Sequence, residues 1–158
     1  MKPKDIRRRI EVQKSSRELT YYDGEGHSQK YRAALGFQPK GHKAVEGDGA
    51  TPEGEYYVCL KNPKSGYFLS LGISYPGPQD AERGLKEGLI SQEEHDAILK
   101  AHEERSTPPW KTALGGEVFI HGRGAAADWT AGCVALEDPD MQELFDRVDV
   151  GIPVVILP

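Results

Sequence analysis

Cysteine is scarce in this sequence: Cys59 and Cys133 are the two among 158 residues. Small domains stapled by disulfides carry more, so a disulfide framework is excluded as the basis of the fold. Long apolar runs are absent as well. None approaches the roughly 18 residues that a bilayer-spanning helix needs, which excludes a helical membrane span. Charge of one sign is not concentrated either, since 20 basic and 25 acidic residues are interspersed for a net −5. Such a balance offers no basic face to nucleic acid. The opening MKPKDIRRRIEV is basic but has no apolar middle, so it does not read as a secretory leader. The expectation is either an excised mature region or a protein not exported by the usual route. No internal repeat and no low-complexity segment is present.

What the chain has in quantity is glycine (18) and proline (11), against a modest 37% of apolar residues. That mixture favours many turns and short strands over a helical bundle. The length suits one domain with a real core. Residues 6–22 read as two short strands, IRRRIEV and ELTYY, broken at Lys14-Ser15-Ser16. Glycines at 23–26 turn the chain into a third strand over 29–37, completing an antiparallel meander. Residues 38–54, QPKGHKAVEGDGATPEG, form a loop punctuated by glycine and proline. A loop of that length serves function, display or disorder. EYYVCL at 55–60 is a continuous apolar strand, which makes Cys59 a small core residue. A turn at 62–66 leads to its hairpin partner at 67–73, YFLSLGI.

Helical composition follows at 78–87 and 91–104. The second helix opens with Ser91 and Glu94 in capping-box spacing, and its thin apolar content places it on the surface. His95 and His102 lie two turns apart, roughly 10 Å along the axis, too far to share a metal ion unaided, and are expected to be solvated. Pro108 and Pro109 stop this helix ahead of Trp110. A last helix starts with Asp138 as N-cap and Pro139 at N1. Met141, Leu144, Phe145 and Val148 form its apolar stripe, Gly151 ends it, and IPVVIL at 152–157 is a buried closing strand. The fold class expected is α+β and mainly β. It is a sandwich or mixed sheet, with a helical insertion at about 78–110 and a C-terminal helix–strand unit, in a single domain over 1–158.

The chemistry concentrates in residues 118–136, VFIHGRGAAADWTAGCVAL. An apolar run ends in His121-Gly122, a small-residue loop follows, and a turn presents Gly132-Cys133 before the chain becomes apolar again. A thiol beside an imidazole is the minimal kit for covalent acyl transfer. The two are twelve residues apart, so two strand ends and a turn, rather than one helix or strand, would have to join them. In that reading the imidazole lowers the thiol pKa and holds an ion pair. The side-chain-free Gly122 lets its carbonyl approach and orient the imidazole, there being no Asp or Asn that follows as a third member. Gly132 would let the N–H groups of Gly132 and Cys133 turn toward an oxyanion, a contribution of about 2.7–4 kcal/mol per donor. Spacing alone leaves the alternative open that Cys133 is a core thiol and His121 a satisfied histidine at a strand end. One Cys and one His are too few for a closed zinc site.

IHG at 120–122, TAGCVAL at 130–136, an amphipathic helix and GIPVVI at 151–156 together resemble the signature end of the L,D-transpeptidase (YkuD-like) catalytic domain. That family's pattern is His followed by Gly or Ser, a dozen or more residues, then Ser/Thr-His-Gly-Cys, an apolar residue and Arg or Asn. GDGATPEGEYYV at 47–58 resembles the family's Thr-Pro-x-Gly-x-aromatic hairpin, while FLSLGISYP at 68–76 and the helical insertion resemble its YafK-like branch. The likeness runs over about residues 8–157. Two positions depart from it: the family's His before Gly-Cys is Ala131, and its Arg or Asn after the nucleophile is Ala135.

The resemblance implies Cys133 as nucleophile, His121 as base, Gly122 as the carbonyl that orients it and Gly132 in the oxyanion turn. It implies attack on the amide before the terminal D-residue of a peptidoglycan tetrapeptide stem. An amine acceptor (a second stem, a D-amino acid or a protein side chain) then resolves the acyl-enzyme. Water as acceptor makes the protein a carboxypeptidase or amidase instead, and loss of both family groups at 131 and 135 would suit a wall-binding module without activity. Candidate substrate contacts are Arg123, whose fork suits a stem carboxylate, together with Trp129, Thr130, Glu46, Asp48 and Trp110. No cofactor or metal is expected, and the protein is expected to be a monomer. The substrate places it in the periplasm or wall, with Cys59 and Cys133 both free thiols, since a bond between them would block the nucleophile.

Overall fold

The computed structural model describes residues 7–158, so Ile6, expected to begin the first strand, and the first residues of the basic N-terminal stretch lie outside the described residues. Eight strands and three helices follow in chain order: β1 (Arg9–Gln13), β2 (Glu18–Tyr22), β3 (Ser28–Arg32), β4 (Gly54–Ser65), β5 (Phe68–Ile73), α1 (Pro78–Lys86), α2 (Gln92–Glu104), β6 (Phe119–His121), β7 (Val134–Ala135), α3 (Asp138–Arg147) and β8 (Pro153–Leu157). The strands form one mixed sheet in the order β3-β2-β1-β8-β4-β5-β6-β7. The closing strand β8 therefore lies in the middle, parallel to β1 and antiparallel to β4. The α+β reading of the sequence holds.

Alternation sets the core. Ile10 and Val12 of β1, Val154 and Ile156 of β8, and Leu69, Leu71 and Ile73 of β5 are buried in one apolar cluster, as a period of two along each strand requires. Met141, Leu144 and Val148 bring the α3 stripe onto that cluster, each such side chain contributing about 1.5–3 kcal/mol on burial. Lys61 Nζ donates to the carbonyls of Phe145 (2.6 Å) and Val148 (2.7 Å), a cation at the negative end of the helix.

Several sequence expectations shift. The third strand ends at Arg32, and the segment after it runs beside the Cys133 region instead, through bridges Ala34–Ala135 and Gly36–Thr130. The expected turn at 62–66 is the outer half of β4, which runs to Ser65. Pro63 is tolerated there because it sits at an exposed, irregular end of the ladder. Glu137, not Asp138, is the N-cap of α3; the Asp138 carboxylate accepts the Arg123 N–H instead (2.8 Å).

The helical segment is less superficial than its composition suggests. α1 and α2 enclose a second apolar cluster of Ala81, Ile90, Ile98 and Leu114. Ser91 and Glu94 make the expected reciprocal cap, at 3.1 and 2.9 Å. Neither histidine is solvated as expected. His95 is buried between Glu82 (2.8 Å) and Asp96 (2.9 Å), and His102 Nε2 donates toward the carbonyls of Ser74 and Pro76 at 2.8 and 2.9 Å. The glycine-rich loop is tied down as well. Lys14, almost fully buried, donates to the carbonyls of Gly41 (2.8 Å) and Thr51 (2.7 Å) and pairs with Glu53.

Candidate active site

Strand β6 has an apolar face and a cleft face. Ile120 points into the main core, so its neighbours in the alternation, Phe119 and His121, face the other way. Phe119 meets Trp110 edge-on at 5.4 Å, and His121 enters a cleft of about 500 Å³. Beside β6 runs β7, parallel, with Ile120 opposite Val134 and His121 opposite Ala135. Cys133 is the residue before β7, and its side chain lines the same cleft. Two short strands of a single sheet thus deliver both reactive side chains to one space.

The imidazole is held on all sides but one. It is 2% exposed, stacked on Tyr67 at a centroid distance of 4.5 Å and tilted against Trp129 at 5.5 Å. Nδ1 lies 2.7 Å from the Gly122 carbonyl. A carbonyl can only accept, so Nδ1 carries the proton and Nε2 presents its lone pair. Among the described residues Nε2 has no hydrogen-bond partner. Burial pushes the imidazole pKa below the ordinary value, and the Gly122 carbonyl offsets part of that. His121 is therefore neutral and basic at physiological pH. Gly122 is required by space: a Cβ there would lie 2.6 Å from Asp138 Oδ1 and 3.1 Å from the Tyr67 carbonyl.

The thiol is held by backbone. Sγ accepts the Phe119 N–H at 3.4 Å and reaches the Glu117 carbonyl at 3.6 Å. Its turn is fixed by Thr130, whose hydroxyl donates to the Cys133 carbonyl (2.7 Å) and accepts the Gly132 N–H (3.1 Å). Gly132 has φ +137°, and a Cβ there would meet the Ala50 carbonyl at 2.8 Å, so this turn accepts only glycine without strain. Burial pushes the Cys133 thiol up to about 11, against opposing contributions from the Phe119 N–H and the Lys43 ammonium. The resting ion pair expected from the sequence is therefore corrected: thiol and imidazole are both neutral. The oxyanion turn is corrected too, because the Gly132 N–H is already taken by Thr130, leaving the Cys133 N–H as the unpaired donor among the described residues.

The other sequence candidates divide. Glu46, Trp129 and Thr130 line the Cys133 cleft. Arg123 does not; it lines a neighbouring cavity of about 630 Å³ with Gly124, Ala126 and Glu137, and its guanidinium donates to the Gly66 carbonyl at 3.0 Å. Asp48 is not on the cleft wall but folds its loop, accepting N–H groups from Ala44, Val45 and Ala50. Trp110 stands behind the cleft, packed on Gly116 and donating to the Tyr75 carbonyl. Neither α1 nor α2 contributes to the cleft wall. Both cysteines are free. Cys59 is buried, and burial raises its pKa.

Four cleft residues carry no functional signal in the sequence: Lys43, Tyr67, Gly116 and Glu117. Lys43 sits in the loop read as functional or disordered, where one lysine among several carries no signal. Tyr67 reads as the start of a strand, yet it is the exposed residue of the hairpin tip beside Gly66. Glu117 has φ +53°, a backbone state that a non-glycine residue rarely takes and that sequence does not announce.

The family model for the L,D-transpeptidase catalytic domain (YkuD) matches residues 7–156, nearly the whole chain. The chain belongs to this family. Solved structures agree on the fold. The helical cell shape determining protein Pgp2 of Campylobacter jejuni is 20% identical with a TM-score of 0.62, covering 96% of this chain and 50% of its own. Bd1075 of Bdellovibrio bacteriovorus is 21% identical at 0.59, covering 99% and 49%. An L,D-transpeptidase of Mycobacterium smegmatis is 15% identical at 0.54, covering 94% and 58%. At such identities the likeness is one of fold, and this L,D-transpeptidase chain spans about half the length of these proteins. No curated protein sequence matches it.

Proposed function

We propose that this L,D-transpeptidase domain acts on peptidoglycan tetrapeptide stems through a Cys133 acyl-enzyme, forming 3→3 cross-links or stem-to-amine links. The observation that carries the reading is the shared cleft: a neutral imidazole with Nε2 free opens into the same 500 Å³ space as the only thiol on its wall.

As the Sγ–C bond forms, the thiol proton passes to His121 Nε2 and the carbonyl electron pair moves onto oxygen, facing the Cys133 N–H. The C–N bond then breaks, and the imidazolium returns its proton to the departing amine of D-alanine. An amine acceptor attacks the thioester, His121 takes its proton, and the Sγ–C bond breaks to give the new amide and the free thiol. Gly122 keeps the tautomer fixed throughout. Trp129 and Glu46 line the path of the stem, and Arg123 serves the neighbouring cavity. The substrate would place the protein in the periplasm or cell wall, and the chemistry written here draws on no cofactor or metal.

Hydrolysis by the same pair, with water as acceptor, is the second reading. The same shared cleft supports it, because an Nε2 free to take the thiol proton can equally take one from water. Incubation with a defined tetrapeptide muropeptide and an excess of a second D-amino acid, analysed by mass, separates the readings. The exchanged product supports transfer, loss of D-alanine alone supports hydrolysis, and an unchanged muropeptide refutes both.

A further inference from the structure

Lys43 occupies an expensive position. It is 3% exposed, and a buried ammonium is costly unless paired. Its pairing is incomplete: Nζ meets Asp48 Oδ1 at 3.1 Å and the Val45 carbonyl at 3.3 Å, two acceptors for three N–H donors. A buried ion pair is weak support for stability, since apolar residues of similar volume often do as well. A loop staple alone thus gives little reason for a charge at this place.

The place itself is informative. Nζ lies 3.8 Å from where a Cβ on Gly132 would stand, and a Cβ on Gly115 would touch Lys43 Cε at 3.1 Å. The ammonium therefore sits behind the Gly132-Cys133 turn, on the wall of the cleft. Lys43 is the one lysine or arginine among the described cleft-lining residues, which otherwise bring the carboxylates of Glu46 and Glu117 and the neutral His121. Neither Ala131 nor Ala135 can supply polarity. Asp48, held at about 2 by three backbone N–H groups that outweigh its burial, keeps Lys43 in position.

We propose that Lys43 is the electrostatic partner of Cys133: its ammonium, anchored by Asp48 behind the Gly132 turn, offsets the negative charge that passes from sulfur to substrate oxygen in acyl transfer. This rests on Cys133 being the nucleophile. Lys43 keeps its proton throughout: the thiol proton goes to His121, the Sγ–C bond forms, and the carbonyl electron pair ends on oxygen. Lys43 is a positioning residue that acts through charge, and the Coulombic pull it exerts on the thiol has the matching sign.

The test is the pH profile of iodoacetamide alkylation at Cys133, followed by mass in wild type, K43M, K43Q and K43R, with thermal melts alongside. K43M and K43Q are expected to move the profile up by about one pH unit, making alkylation about tenfold slower below the midpoint. K43R keeps the charge and stays near wild type. Turnover should fall in kcat more than in KM. Wild-type profiles for K43M and K43Q overturn the proposal, as does a K43R shift equal to that of K43Q, which would make shape rather than charge the cause. Should K43M not fold, K43Q decides, because its amide can still donate to Val45 and Asp48. Alkylation needs no stem: a Lys43-dependent thiol with no turnover of muropeptide refutes the proposed function alone, and turnover by a Lys43-independent thiol refutes this inference alone.

Discussion

The imidazole wall of the cleft is a paired strand covered by aromatic rings, whereas the thiol wall is a turn held by backbone bonds and by the closeness of Gly132 to the Ala50 carbonyl. His121 is placed by β6, stacked on Tyr67 and given one tautomer by Gly122. Cys133 precedes a two-residue strand, and the groups at its sulfur are the Phe119 N–H and the Glu117 carbonyl. Desolvation acts on both reactive groups in opposite directions, lowering the His121 pKa and raising that of the half-buried Cys133, so each favours its uncharged form. In the proposed mechanism the cleft stores no thiolate and the proton moves when substrate arrives, so the rate would depend on groups that meet charge as it forms.

Loss of the thiol has the largest expected effect. Cys133→Ala should abolish stem turnover, by about 10⁴-fold or more, with the thermal melt unchanged because the lost atoms face the cleft. Residual turnover above one part in a hundred would mean another nucleophile. His121→Ala should cost about 10²–10⁴-fold, and full activity in that variant would remove His121 as base. Its pH signature is specific. A neutral buried imidazole loses basic function only as pH falls through its lowered pKa, so kcat/KM should show an acidic limb below the ordinary histidine value of about 6.5. No alkaline limb from the thiol should appear until pH approaches about 11. A bell centred near pH 7 would instead indicate the resting ion pair.

How far these walls are legible in sequence differs for the same physical reasons. The strands announce themselves: the apolar runs around Ile120 and Val154 alternate or stay buried, and α3 repeats its stripe at helical spacing. His121-Gly122 and Gly132-Cys133 stand out through their resemblance to a family signature, since spacing alone leaves a core thiol and a satisfied histidine open. Pairing across the sheet does not show. Nothing in residues 33–37 says that they lie beside Thr130 and Ala135, since that is a matter of tertiary register. Lys43 is invisible for the same reason, reaching Gly132 from nearly ninety residues away in the chain. Charge states are hidden more deeply still. The sequence places an imidazole beside a thiol and so implies an ion pair, whereas burial, which sequence does not display, raises the thiol pKa and lowers that of the imidazole.

A smaller effect sharpens the thiol wall. Thr130→Val keeps shape but removes the hydroxyl that bridges the Cys133 carbonyl and the Gly132 N–H. The orphaned buried N–H should lower stability by about 1–3 kcal/mol, and looseness of the turn should slow turnover by about tenfold. A faster Thr130→Val enzyme would show the opposite, that the Gly132 N–H becomes an oxyanion donor once Thr130 releases it.

The smallest effect tests the imidazole wall. Tyr67→Ala removes the ring stacked on His121, worth about 0.5–1.5 kcal/mol beyond its area, but leaves the Nδ1 bond to Gly122 intact. The tautomer is kept while water reaches the ring. Burial is the main cause of the lowered His121 pKa, so hydration should raise it back toward the ordinary value. The acidic limb of kcat/KM then moves to higher pH, while the plateau at alkaline pH drops only about two- to threefold, within the range of an interaction of this size. A limb that does not move would show that Trp129 and the sheet alone desolvate the ring. A plateau that collapses would show that Tyr67 holds substrate as well as histidine, and the two walls would then share the work of binding.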